Sequence, residues 1–244
     1  GIAVASGWKP DDFVLGKTSF TDRRQTTIDG IHAVRRLWKG EAIELGSPEN
    51  SVLGRVFPPP IQNELPLWIT ASGNVETFQL AGKLGANVLT HLLGQSIDQL
   101  ASKIRVYHDA FCSDSAKRPK VTLMLHTFLG GEESKVKSIV KEPFMNYLDN
   151  FLDLTASVEM STNSAFSPAS LSTADRRDLL EVGFDRYFET SGFLGSPKKC
   201  RRLAERLGEI GVDEFACLID FVPDFEAVKS SLEQVQQLRM DMQH

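Results

Sequence analysis

No stretch of the 244-residue chain approaches the roughly 18 uninterrupted apolar residues of a membrane helix, so a helical membrane anchor is not written into it. Cysteine is scarce. Cys112, Cys200 and Cys217 are odd in number and lack metal-ligand spacing, which argues against a disulfide framework and a zinc site. They fit a reduced, cytoplasmic compartment, with Cys217 as a plain core residue. No basic stripe is present: 27 Lys and Arg stand against 32 Asp and Glu, for a net charge of −5. The basic residues fall in pairs (Arg23-Arg24, Arg35-Arg36, Arg176-Arg177, Lys198-Lys199) that read as solvated helix faces, which argues against a nucleic-acid surface. The Walker lysine, G-x-S-x-G, H-E-x-x-H and C-x-x-C patterns are missing. The opening Gly1-Ile2-Ala3-Val4-Ala5 has neither an initiator Met nor the basic flank of a signal peptide.

What remains is ordinary globular material. Hydrophobic residues at 41% and charged residues at 24% exclude disorder, and the length suits one large or two small domains. Five apolar runs read as buried strands: Ile2–Ala5, Leu67–Ala71, Asn87–Leu93, Val121–Leu129 and Phe215–Phe221. Most are continuous rather than alternating, the pattern of strands covered on both faces. Helical stripes separate them, the cleanest through Ile97, Leu100, Ile104, Tyr107 and Phe111. Gly85 and Gly211 each end a helix, over Val75–Leu84 and Pro197–Ile210, and each is followed closely by a strand. Ser196-Pro197 reads as an N-cap with Pro in the first turn. Repeated strand–helix–strand units predict a parallel α/β architecture, either a barrel or an open doubly wound sheet.

Two segments break the rhythm. Residues 40–66 carry Pro48, Pro58-Pro59-Pro60 and Pro66, and form a long excursion. Residues 132–195 carry a helical stripe (Val136, Val140, Phe144, Tyr147, Phe151) and then Ser157–Ser172, a polar stretch that reads as a mobile loop or lid.

Ligands of parallel α/β folds sit at the carboxyl ends of strands. Those ends here are Ser6-Gly7-Trp8, Ser72-Gly73-Asn74, His91 to Gly94, Gly130-Gly131 and Asp220 to Val222. Ser72-Gly73-Asn74 precedes a helix, so it either turns and caps the chain or offers backbone N–H groups to a phosphate. His91 is either a rim residue or a ligand neighbour, and Trp8 either packs or walls a planar ligand. His126, mid-strand between Leu125 and Thr127, reads first as a satisfied core histidine. Asp11-Asp12 reads as a turn and helix start. The residues alone lead to a phosphate-bearing ligand on a parallel α/β protein.

The string Gly1 to Phe13 resembles the fourth strand and following loop of luciferase-like flavin monooxygenases, in the branch associated with nonribosomal peptide and polyketide assembly. Leu65 to Phe78 is similar to that branch's fifth strand, and Gly85 to Gln95 to its sixth. Val121–Gly130 and Phe193–Phe221 continue the likeness through the seventh and eighth.

The resemblance implies a (β/α)8 TIM barrel, a single domain over 1–244, in which reduced FMN (FMNH2) activates O2 to oxygenate an organic substrate in secondary metabolism. By position it implies flavin and phosphate contacts at Ser6, Trp8, Ser72, Gly73 and Asn74, and places His91 near the flavin ring. It implies no metal and nominates no catalytic residue. Its expected partners are a flavin reductase and a substrate that is free or tethered to a carrier protein, with neither nucleic acid nor membrane. The long segment around Ser157–Ser172 corresponds to variable substrate-shielding insertions. Because the likeness covers strands four to eight, the barrel is expected to be incomplete, a C-terminal portion lacking its N-terminal units. Two other readings stand beside this one: a non-catalytic barrel that binds flavin or a partner, and a deazaflavin-dependent hydride-transfer oxidoreductase.

Overall fold

A computed structural model describes residues 1–16, 18–46, 49–112, 118–159 and 171–243; within 153–159 the backbone alone is described. The apolar runs become a parallel sheet of β1 (Ile2–Val4), β4 (Leu67–Thr70), β5 (Asn87–His91), β6 (Val121–Leu129), β7 (Phe193–Gly195) and β8 (Glu214–Leu218). The order runs β1-β4-β5-β6-β7, and β8 also pairs with β6. Strand β6 is the hub. Its first half pairs with β5, with Val88 opposite Val121, and with β8, with Thr122 opposite Glu214. Its last three residues pair with β7, Thr127 opposite Phe193. Among the described residues the sheet does not close on itself.

Helices occupy the connections: α1 (Arg23–Trp38), α2 (Val75–Lys83), α3 (Ile97–Ala110), α4 (Glu133–Glu159), α5 (Thr173–Thr190), α6 (Pro197–Glu209) and α7 (Phe225–Met242). Their ends carry the signals expected of them. Ser96 and Gln99 form a capping box at the start of α3, and Ser196 caps α6 ahead of Pro197. Gly85 and Gly211 lie in the left-handed region, with φ of +56° and +98°, and reverse the chain into the following strands.

The outer face of the sheet packs on α2, α3, α6 and α7 around Leu67, Ile69, Val88, Val121, Leu123 and Leu125. A second core joins α4 and α5 through Phe144, Phe184 and Phe188 to the far end of β6 and β7, at Phe128 and Leu194. The inner face is different. Leu67 and Ile69 are buried while Trp68 and Thr70 are half-buried, and Asn87, Leu89 and His91 repeat the alternation. The run-on apolar strands implied cover on both faces. The inner face instead mixes apolar side chains (Trp68, Leu89) with polar ones (Thr70, Asn87, His91), and among the described residues α4 and α5 set rings against it at His126.

Three differences from the sequence reading follow. Phe193–Gly195 is a sixth strand of the sheet, too short for periodicity to reveal. The excursion at 40–66 contains an antiparallel hairpin, β2 (Ile43–Leu45) with β3 (Val52–Gly54). The excursion at 132–195 is mostly the long helices α4 and α5, so Ser157 lies in α4 and Ser172 caps α5; residues 160–170 of the expected lid lie outside the described residues. The basic pairs also do more than face solvent. Arg35 donates to Leu84 O at 2.7 Å and Gly85 O at 3.3 Å, closing the carbonyl end of α2, and Arg24 pairs with Glu76 at 2.7 Å.

Candidate functional site

The site is assembled at the carboxyl ends of β4, β5 and β6. At β4, the chain leaves the sheet through Ser72 and Gly73 and enters α2 at Asn74. Asn74 Oδ1 accepts from the Glu76 N–H at 2.8 Å, so its side chain is committed to capping. The Thr77 N–H bonds Asn74 O at 3.2 Å, which leaves the Val75 N–H at the open first turn, and the helix dipole makes that end positive.

Lys103, on α3, ties this end to the next strand. Its Nζ donates to Ser72 O at 2.9 Å and to Gln95 Oε1 at 2.8 Å. Gln95 is buried, and its Nε2 donates in turn to the His91 carbonyl. Burial pulls the Lys103 ammonium below its ordinary pKa. A cleft of about 490 Å³ opens here, lined by Gly73, Val75, Gly94, Gln95, Gln99 and Lys103 among others. A Cβ added at Gly73 or Gly94 would meet nothing within 4 Å, so both backbones face open space. At Gly94 the φ of +76° adds a conformational reason for glycine.

His91 ends β5 half-buried, and its Nδ1 accepts from the Leu93 N–H at 3.1 Å. Its pKa is lowered, first by desolvation and further by the Lys103 charge, which favours the neutral ring. One strand on, His126 is 4% exposed and shares a 3.2 Å hydrogen bond between Nδ1 and the Tyr187 hydroxyl. Burial pulls its pKa down to about 4, with Asp220 opposing that shift and His91 adding to it. Asp220 also acts with burial to raise the Tyr147 phenol. Thus Asp220, just beyond β8, and Tyr147, on α4, share the electrostatic surroundings of the two histidines.

Of the expected contacts, Ser72 and His91 are joined into one network by Lys103 and Gln95, and Gly73 lines the cleft beside them. Asn74 lies in the same corner as a cap. Ser6 and Trp8 sit at the end of the adjacent strand β1, both exposed, and no hydrogen bond links them to that network; Lys9 Nζ lies 5.6 Å from the Trp8 ring centroid. Asp11 and Asp12 lie in a single 3-10 turn, as expected. The sequence reading passed over Lys103 because it sits in the polar steps of an apolar stripe. Tyr147 had counted only as a stripe residue. Neither position carries a spacing signal; their roles come from how α3 and α4 pack.

The family model for luciferase-like monooxygenases matches residues 1–214. The chain belongs to the luciferase-like monooxygenase family. Solved structures of similar fold include the monooxygenase RslO1 from Streptomyces bottropensis, with a TM-score of 0.70 and 14% identity, covering 100% of this chain and 68% of that one. The oxygenating constituent of 3,6-diketocamphane monooxygenase from Pseudomonas putida, solved with FMN, gives 0.67 and 14%, covering 96% of this chain and 68% of that one. An F420-dependent secondary alcohol dehydrogenase gives 0.63 and 15%, covering 98% and 69%. At such identities these likenesses speak to fold. A comparison with curated protein sequences finds no match. Among the described residues, no helix of this luciferase-like chain is long and apolar enough to cross a membrane.

Proposed function

We propose that this luciferase-like chain carries the phosphate- and ring-binding face of an FMN-dependent monooxygenase that oxygenates an organic substrate with O2. The observation that carries the reading is the β4–β5 corner. There two glycines with open Cβ positions, the positive N-terminal end of α2 at Val75 and the Lys103 ammonium converge on one cleft. These groups fit a phosphate monoester. Gly73 and Gly94 let it approach the backbone, the α2 N-terminus supplies a positive end, and Lys103 supplies charge. His91, at the end of β5 with its pKa lowered by burial, is the side chain we assign to a ring reached from that phosphate.

Bound reduced FMN would supply the electrons and the oxygen-activating chemistry. The chain's own part is to hold and shelter. Lys103 and Gln95 fix the relative position of the β4 and β5 ends, and His91 presents an Nε2–H, because its Nδ1 already accepts from Leu93. Helices α4 and α5 stand over the far end of β6, where water has to be excluded from the reacting centre.

The same reading extends to a separate reductase that delivers FMNH2, to a free or carrier-tethered substrate, and to a role in secondary-metabolite formation in the cytoplasm. It also takes 1–244 as the C-terminal portion of one luciferase-like domain, because β1 and β8 are open edges and the inner face is half-exposed. A deazaflavin-dependent hydride transfer is the second reading, supported by the similarity to the F420-dependent alcohol dehydrogenase.

Fluorescence titration with FMN and with F420 separates the two, and Gly73→Leu tests the site. The added side chain enters open space, so the melting temperature should stay within a few degrees while FMN affinity falls at least about tenfold, or about 1.4 kcal/mol. Undiminished FMN binding by Gly73→Leu would overturn this placement, and tight F420 with weak FMN binding would favour the second reading.

A further inference from the structure

His126 stands on β6 with four aromatic rings set edge-on around it. Ring centroids lie 4.8 Å away for Phe144, 4.3 Å for Tyr147, 5.7 Å for Tyr187 and 5.4 Å for Phe221. Its one hydrogen bond among the described residues joins Nδ1 to the Tyr187 hydroxyl. Tyr187 is 3% exposed, and among the described residues the His126 ring is the side-chain partner of its hydroxyl. A buried phenol with no acceptor would forfeit about 1–3 kcal/mol, so Tyr187 donates and Nδ1 accepts. A neutral imidazole that accepts at Nδ1 carries its proton at Nε2.

Nε2–H has no partner among the described residues. The ring is not fully enclosed, since His126 keeps 4% of its surface exposed. The same face of the sheet carries the half-buried apolar groups Leu89, Met124 and Leu218, and half-buried Phe221 lies against the ring. The charged or titratable groups acting on this histidine are Asp220 and His91, with Tyr147 and Tyr187 against the ring. An anionic ligand would meet the Asp220 carboxylate, and an apolar surface gives a cation little solvation. The surroundings favour a neutral molecule with one acceptor oxygen.

We propose that His126 is a specificity-determining residue whose Nε2–H donates to the carbonyl oxygen of a neutral, mostly apolar substrate bound over β6 and β8. The proposal rests on the flavin reading, in which the cofactor occupies the β4–β5 end and leaves β6 and β8 to the substrate.

The test uses the whole chain labelled with 15N-histidine, saturated with FMN and titrated with acetophenone or with ethylbenzene, which lacks the oxygen. His126→Phe assigns the resonance. The expected spectrum shows His126 as the Nε2–H tautomer, with Nε2 shifted by acetophenone and unmoved by ethylbenzene. In His126→Phe the preference for acetophenone, at least about fivefold in the wild type, should vanish. Tyr187→Phe should mix the two tautomers, and it serves as the test variant if His126→Phe does not fold. A His126 found as the Nδ1–H tautomer, or equal responses to both probes in an FMN-binding chain, overturns the proposal alone. A wild-type chain that binds no FMN overturns the flavin reading and this assignment together.

Discussion

Lys103 ties together the two loops that leave β4 and β5 beyond their last ladder bond, Ala71 N–H to Leu89 O, since one ammonium bonds Ser72 O on the β4 side and Gln95 on the β5 side. Hydrogen bonds to a charged group contribute about 1.5–3 kcal/mol each, and here the same charge faces the cleft. Lys103→Met is therefore expected to weaken FMN binding by tenfold or more, with Lys103→Arg recovering part of it, as read by flavin fluorescence quenching. His126 makes a separate prediction about stability. Its folded pKa, pulled down to about 4, lies below the unfolded value near 6.5. The unfolded chain therefore binds the extra proton first. The stability tied to the neutral ring is complete above about pH 6.5 and is lost as pH falls toward about 4, by up to about 3 kcal/mol. Urea unfolding at pH 7, 5.5 and 4.5 should show that slope in the wild type and a shallower one in His126→Phe. An identical slope in both would remove His126 as its source.

Between elements, the α2–α3 contact decides whether the cleft exists. Gly82 faces α3 so closely that a Cβ there would lie 2.6 Å from Tyr107 O and 3.0 Å from Ala110 Cβ. The first of these is backbone and cannot swing aside. Gly82→Ala, normally a gain within a helix, should here cost about 1–3 kcal/mol and displace α3, with Lys103 on it. Chemical denaturation measures the cost, and weaker FMN binding by the folded variant reports the displacement. Tyr107 explains why α3 tolerates no shift: it is fully buried, and its hydroxyl donates to Ala86 O at 3.0 Å, below the start of β5. The capping box at Ser96 and Gln99 sets where α3 begins, and so the height of Lys103 above the strand ends.

Across the whole molecule, protection should follow the sheet. Strand β6 pairs with three neighbours and carries both cores, whereas β1 is an edge with Ile2 38% exposed, and the β2–β3 hairpin projects Val52 and Leu53 into solvent. Hydrogen exchange is therefore expected to be slowest in β5 and β6 and fastest in β1, α1 and the hairpin. Protection of β1 equal to that of β6 would mean that its edge is covered. Several of these features were legible in the chain itself. Apolar runs, helix stripes, Gly85, Gly211 and the Ser-Pro cap mark local conformations, and local conformation is what short-range sterics and hydrogen bonds settle. They located five of the sheet's six strands, most of the helices, and the small residues at the strand ends. Phe193–Gly195 escaped because a three-residue strand has no period to show; it exists because it pairs with the end of β6. The half-exposed inner face escaped because apolar composition records what a face prefers, not what covers it. Ser72, Gly73 and His91 could be named from their positions at strand ends. Lys103, Gln95, Tyr187 and Asp220 acquire their roles across separations of up to 94 residues, measured from His126 to Asp220, and only packing sets those distances. Residue chemistry and local order thus came from the sequence, while the tertiary structure alone decided which charges, donors and rings share one low-dielectric corner.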